Sequence, residues 1–115
     1  MIKNIESKEQ FLELIDGDNQ LAVLFTIDGC PYCHRATKLF EDLDQLGSAS
    51  GYSLYTFDVT HEEYIRQMYM MIEFPTVVFL YGSLIEKLSV GMGMIHRDCN
   101  FVSPNGGVIS NGKTK

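Results

Sequence analysis

Leu21-Ala22-Val23-Leu24-Phe25-Thr26-Ile27-Asp28-Gly29-Cys30-Pro31-Tyr32-Cys33 is the stretch on which the reading of this 115-residue chain turns. The apolar run from Leu21 to Ile27 is too short for a buried helix between such breakers, so it reads as a central strand. Asp28-Gly29 ends it just before the first thiol. From Pro31 the pattern becomes helical, with Ala36, Leu39, Phe40, Leu43 and Leu46 on one face and Glu41, Asp42 and Asp44 away from it. A thiol in the first turn of a helix faces unpaired N–H groups and the positive end of the helix dipole. Both favour the thiolate, which is the reactive form. Pro31 suits the first helical position, where no N–H partner is needed. Two intervening residues let the sulfurs of Cys30 and Cys33 meet, and a C-x-x-C at a strand-to-helix turn is a redox signal.

Working outward, Ile2-Lys3-Asn4-Ile5 reads as a short edge strand. Ser7 is an N-cap, with Phe11, Leu14 and Ile15 at helical spacing and Gly17 as the stop. Gly47-Ser48-Ala49-Ser50-Gly51 is a loop. Tyr52–Val59 alternates as a strand with Tyr55, Phe57 and Val59 on one side. Thr60 is expected to cap a helix running to about Met70, with Glu62 and Glu63 in its first turn. Pro75 opens a strongly β-forming run, Val77–Tyr81. Tyr81-Gly82-Ser83 turns it into a returning strand, Leu84–Val90. Ile95, Cys99 and Val102 share a helical face, so a short last helix is expected. Phe57, Phe79 and Tyr81 are expected in the core, and Met68, Met70 and Met71 in core and loop packing. The order β-α-β-α-β-α-β-β with a weak final helix predicts an α/β sandwich with a mixed sheet.

Composition bounds the function. At 45% apolar residues the chain is one ordinary globular domain. The expected division is a domain over 1–102 and a flexible polar tail over 103–115. Net charge is −6, and residues 1–98 hold all 15 acids with 7 of the 9 bases. No basic cluster suited to tracking phosphates is present, so nucleic-acid binding is not expected. No apolar run approaches the roughly 20 residues that span a bilayer, so no membrane partner is expected either. The N-terminus lacks a secretory pattern, and a cytoplasmic monomer is expected. In a reducing compartment a close cysteine pair is more often catalytic or metal-binding than structural.

With these residues in place, the chain resembles the thioredoxin-fold family over residues 2–91. The resemblance rests on Cys30-Pro31-Tyr32-Cys33 at a strand end, on Phe74-Pro75-Thr76 about 45 residues later, and on Gly82 and Gly91 flanking the last strand. It implies a central mixed β-sheet flanked by helices and a cis Pro75 beside the cysteines, whereas the last helix of this chain is expected to be shortened or irregular. Within the family, the CPYC tetrad is that of dithiol glutaredoxins. The N-terminal strand and helix, and the spacing to Pro75, look like thioredoxin. Three positions depart from the family pattern. Leu24 stands where thioredoxins bury an aspartate, and Gly29 where a tryptophan precedes their motif. Gly91-Met92-Gly93-Met94 replaces the Gly-Gly-acid with which glutaredoxins grip glutathione.

The resemblance implies a thiol–disulfide oxidoreductase acting on protein disulfides or glutathione mixed disulfides. Cys30 would attack and Cys33 resolve. Tyr32, Phe74, Pro75 and Thr76 would contact substrate, the Thr76 backbone pairing with an extended chain. Pro31 and His34 would tune the thiolate, with Arg35 a further charge near it. No bound cofactor is expected, and electrons would come from glutathione or a thioredoxin-reductase-like flavoprotein. Two alternatives stand beside this. One is a thioredoxin-like binding subunit with idle thiols. The other is a zinc site from Cys30, Cys33, His96 and Cys99, whose C-x-x-C and H-x-x-C spacings suit tetrahedral ligation. Cys30-x-x-Cys33-His34 also fits a haem-attachment pattern formally.

Overall fold

The strand and helix expected on either side of Asp28-Gly29 are both present in the computed structural model, which describes residues 2–46 and 51–99. In chain order the elements are β1 (Lys3–Ile5), α1 (Lys8–Ile15), β2 (Gln20–Thr26), α2 (Pro31–Leu46), β3 (Ser53–Asp58), α3 (Glu63–Met68), β4 (Thr76–Tyr81), β5 (Leu84–Val90) and α4 (Gly91–Asp98). The strands form one sheet in the order β1-β3-β2-β4-β5. β1, β3 and β2 are parallel, and β4 and β5 run antiparallel to their neighbours. Parallel neighbours need crossovers, which α1 and α2 supply, whereas β4 and β5 need only the turn at Gly82.

β2 lies at the centre and is buried from Leu21 to Phe25. Its alternating residues therefore feed two cores, which is why its sequence is apolar at every position. Leu21, Val23 and Phe25 meet Phe11 and Ile15 of α1 and Ile65 of α3. Ala22 and Leu24 meet Ala36, Phe40 and Leu43 of α2 and Ile95 of α4 on the other face. Ser7 caps α1 as its position predicts, its hydroxyl accepting from the Gln10 N–H at 3.0 Å. The last helix is short, at eight residues, and Ile95 and Cys99 are both buried. Val102 and the tail expected over 103–115 lie outside the described residues.

Three packing expectations are corrected. Tyr81 is half exposed, being the last residue of β4 at the hairpin turn. Met68 and Met70 are exposed and only Met71 packs on the core. Met70 sits in the left-handed region (φ 52°), closing the turn after α3, and this turns its side chain to solvent. Leu46 is exposed, being the terminal residue of α2.

The hairpin turn needs glycine. Gly82 has φ +59°, and a Cβ there would lie 2.6 Å from the Gly17 carbonyl oxygen, a backbone atom that cannot swing away. Its N–H also donates to the Asn19 carbonyl at 2.8 Å. Gly82→Ala is expected to cost about 2–4 kcal/mol, combining left-handed strain with overpacking. Urea denaturation measures it, and a loss below about 0.5 kcal/mol would contradict the close approach.

Tyr69 offers the opposite case. It is buried among Phe11 and Phe25, and its hydroxyl has no hydrogen-bond partner among the described residues. Burial pushes its pKa up to about 12. Tyr69→Phe removes the unsatisfied group and keeps the ring, so stability is expected to rise by about 1 kcal/mol. A calorimetric midpoint raised by roughly 4 °C is the predicted readout, and a lowered midpoint would mean the hydroxyl is paired.

Candidate active site

β2 ends at Thr26, and the chain turns through Gly29 in the left-handed region (φ +73°) to deliver Cys30 to the head of α2. That backbone favours glycine over the tryptophan found before the thioredoxin motif. Pro31 opens the helix and is exposed. Cys30 and Cys33 form a disulfide, with their Cα atoms 5.3 Å apart. Cys30 is half-buried, whereas Cys33 is 5% exposed and belongs to the buried stripe of α2. The Cys33 N–H donates to the Cys30 Sγ at 3.2 Å and to the Cys30 carbonyl at 3.1 Å. An N–H of the helix's first turn is thus aimed at the more accessible sulfur, and that turn contains no acid to oppose a negative charge.

The antiparallel pairing of β4 with β2 brings the start of β4 to the same end of the sheet. Thr76 is in register with Phe25, one residue from the end of β2. The Phe74–Pro75 peptide is cis, as the resemblance implied. Pro75 and Thr76 are buried, and Phe74 is half-buried against the α1/α3 core. The Thr76 hydroxyl donates to the Glu73 carbonyl at 2.7 Å, and the Pro75 carbonyl accepts from the Gly91 N–H at 2.9 Å. Both glycines that flank β5 have positive φ.

Tyr32 stands out from the motif at 55% exposure, and the Arg35 guanidinium lies 5.3 Å from its ring centre. His34 is exposed. It lines a cavity of about 180 Å³ that also touches Cys30, Cys33, Thr37 and Asp58.

Asp58 and Thr60 were not singled out as site residues from the sequence. Thr60 does not cap α3, which begins at Glu63 with no side-chain cap. Its hydroxyl instead donates to Asp58 Oδ1 at 2.6 Å and accepts from the Asp28 N–H at 2.8 Å. The Thr60 hydroxyl bond holds the Asp58 carboxyl below its ordinary pKa. The pair latches the end of β3 to the loop that carries Cys30. A Thr followed by two Glu residues looks locally like a helix cap, and only the tertiary partner at Asp28 reveals the other use.

The four residues of the zinc alternative are not brought together. Among the described residues no group of three or more His, Cys, Asp or Glu is placed to hold a metal ion. Cys30 and Cys33 bond to each other, His96 is exposed on α4, and Cys99 is buried against the α2/α4 face of the sheet. Burial is the main cause that pushes the Cys99 thiol up to about 12. Leu24, at the position of the family's buried aspartate, is fully buried in the same apolar cluster. Among the described residues no helix is long and apolar enough to cross a membrane.

No protein-family model and no curated protein matches the chain. Solved structures do. A thioredoxin of Malassezia sympodialis superimposes with a TM-score of 0.71 at 24% identity, covering 79% of each chain. A thioredoxin of Trypanosoma brucei brucei gives 0.72 at 17% identity, over 84% of this chain and 86% of that one. A thioredoxin of Plasmodium falciparum gives 0.70 at 17%, over 78% and 86%. The chain therefore has the thioredoxin fold, with its Cys-Pro-Tyr-Cys pair at the junction of the central strand and the helix that follows it.

Proposed function

We propose that the protein is a thiol–disulfide oxidoreductase that reduces protein disulfides or glutathione mixed disulfides. The observation that carries this is the asymmetry of the pair: Cys30 is reachable and faces an N–H of the helix head, while Cys33 is buried behind it. In the reduced protein the Cys30 thiolate attacks one sulfur of the substrate disulfide. The substrate S–S bond breaks, a mixed disulfide forms, and the departing sulfur takes up a proton. Cys33 then gives up its proton and attacks Cys30 Sγ. The Cys30–Cys33 bond forms, the second substrate sulfur leaves as a thiol, and two electrons have passed to the substrate. Pro31 and His34 tune the first thiolate. Tyr32 and the half-buried Phe74 form the rim, and Pro75 and Thr76, with buried side chains, contribute the backbone beside which an extended substrate lies. Glutathione or a thioredoxin-reductase-like flavoprotein returns the two electrons, and no bound cofactor takes part. We place the protein in the cytoplasm as a monomer.

The test is a redox titration of the full-length protein in glutathione buffers with chelator present, following the Cys30–Cys33 bond by mass. A reversible two-electron transition at about −200 mV or below supports a reductase, whereas one near −120 mV would make it an oxidant. Absence of any reversible disulfide would overturn the reading in favour of a binding subunit with idle thiols. Comparing reduction of a model disulfide driven by glutathione with that driven by a flavoprotein reductase then identifies the donor.

A further inference from the structure

We propose that the face made by the first turns of α2 together with α4 is a docking surface for an acidic face of a partner protein, so that disulfides flanked by Asp or Glu are the preferred substrates. The inference rests on the oxidoreductase reading and adds a partner chemistry to it.

The chain is acidic, yet from Cys30 to Phe40 it contains no Asp or Glu. The same stretch carries His34, Arg35 and Lys38, all exposed. His34 and Lys38 are one helical turn apart, so they lie on one side of α2. Packing of α4 beside α2 adds His96. Together with Leu39 and Asp42 these residues line a groove of about 410 Å³ that begins one residue beyond Cys33. Sequence position alone would not join His96 to the other three.

Arg35 is the anchor of this surface. Its guanidinium lies over the ring of Tyr32, an exposed residue between the two cysteines, 5.3 Å from the ring centre. A cation over a ring face can still offer its N–H groups to a carboxylate. Among the described residues no acid pairs with it. Lys38 bonds to Asp42 at 3.1 Å, but the lysine is exposed and the aspartate about half exposed, and such a pair is weak enough for a partner's carboxylate to compete. Arg97, paired with Asp98 at 3.1 Å, does not line the groove.

Arg35 beside the motif, with Lys38 and two histidines along one groove, belongs to a chain whose net charge is −6. A partner with Asp or Glu next to its disulfide is drawn to this face and repelled elsewhere, so the field selects orientation as well as partner.

The test uses short synthetic peptides, each closed by one disulfide and differing only in whether Glu, Gln or Lys flanks the cysteines. They are mixed with the fully reduced, full-length protein, and single-turnover rates are read at low and high salt. The Glu peptide is expected to react about tenfold faster than the Gln peptide at low salt, and the Lys peptide slowest, with the spread collapsing at high salt. The double substitution Arg35→Gln, Lys38→Gln is expected to level the three rates, and Arg35→Glu, Lys38→Glu to invert their order. Equal rates for the three peptides with the unaltered protein, or an unchanged preference in both double variants, would overturn the docking surface and leave the oxidoreductase reading standing. No reaction with any peptide would overturn both. A charge-swap effect confined to oxidised glutathione and absent with the peptides would reassign the groove to a small anionic disulfide, and so would also overturn the protein-docking proposal.

Discussion

Replacing Cys30 by serine is expected to lower the rate of disulfide reduction by about 10³-fold or more. Serine keeps the size of the side chain and removes the nucleophile, since a hydroxyl at the helix head remains protonated where a thiol ionises. The fold should survive, because Cys30 is half-buried at a turn and contributes to neither core. Cys33→Ser is expected to behave differently. The accessible thiol is intact, so the first displacement proceeds, but no buried thiol follows to release the substrate. A covalent adduct should then accumulate, visible as a mass increase equal to the substrate thiol and removed by reductant. A Cys30→Ser protein that reduced a model disulfide at full rate would sink the assignment of the attacking sulfur. Adducts appearing on Cys33 in that variant would reverse the roles of the two residues.

The second large effect is on stability. Phe11 of α1 is fully buried and lies 5.8 Å from Phe25 of β2, 5.7 Å from Phe57 of β3 and 6.1 Å from Tyr69, ring centre to ring centre. It is the side chain by which α1 grips two strands at once. Phe11→Ala deletes that ring and leaves a cavity among aromatic walls that cannot easily close. The expected cost is about 3–5 kcal/mol, a large part of the roughly 5–15 kcal/mol available to a domain. The urea midpoint should fall by about 2 M for an ordinary slope at this size. Leu46→Ala, at an exposed position, is the matched control and should change stability by less than about 0.5 kcal/mol. A Phe11→Ala loss as small as the control's would mean that α1 does not dock through this ring.

Much of this architecture was legible because the sequence punctuates it clearly. The run Leu21–Phe25 sits between Gly17 and Gly29, and its apolar residues at every position announced a strand covered on both faces. Ser7, Gly82 and the Pro75-to-Val90 hairpin carried local chemistry that the fold uses as expected. The errors arose where a residue's partner is distant in sequence. Thr60 has a capping residue's neighbours, yet the Asp28 N–H takes its hydroxyl. Tyr81 continues an apolar strand by pattern, yet as the last residue of β4 it is half exposed. Met70 looked like packing material until its left-handed backbone placed it at a turn. At the site, the two thiols could be picked out from their spacing, and the cis proline from the family resemblance. The Asp58–Thr60 latch and the groove shared by His34 and His96 could not, because each joins elements that only the folded sheet brings together.

The bond from the Gly91 N–H to the Pro75 carbonyl has a consequence for how the molecule can be divided. Gly91 is the first residue of α4, and α4 places Ile95 over Leu24 and Val77 on one face of the sheet. The same few residues therefore seal an apolar layer and fasten the proline segment at the end of the sheet where the motif follows β2. A chain cut after Val90 would lose both functions in one stroke. It would keep every cysteine of the motif and every strand of the sheet, and still present its chemistry on an unfastened platform. Fragment complementation should show the two repaired together or not at all.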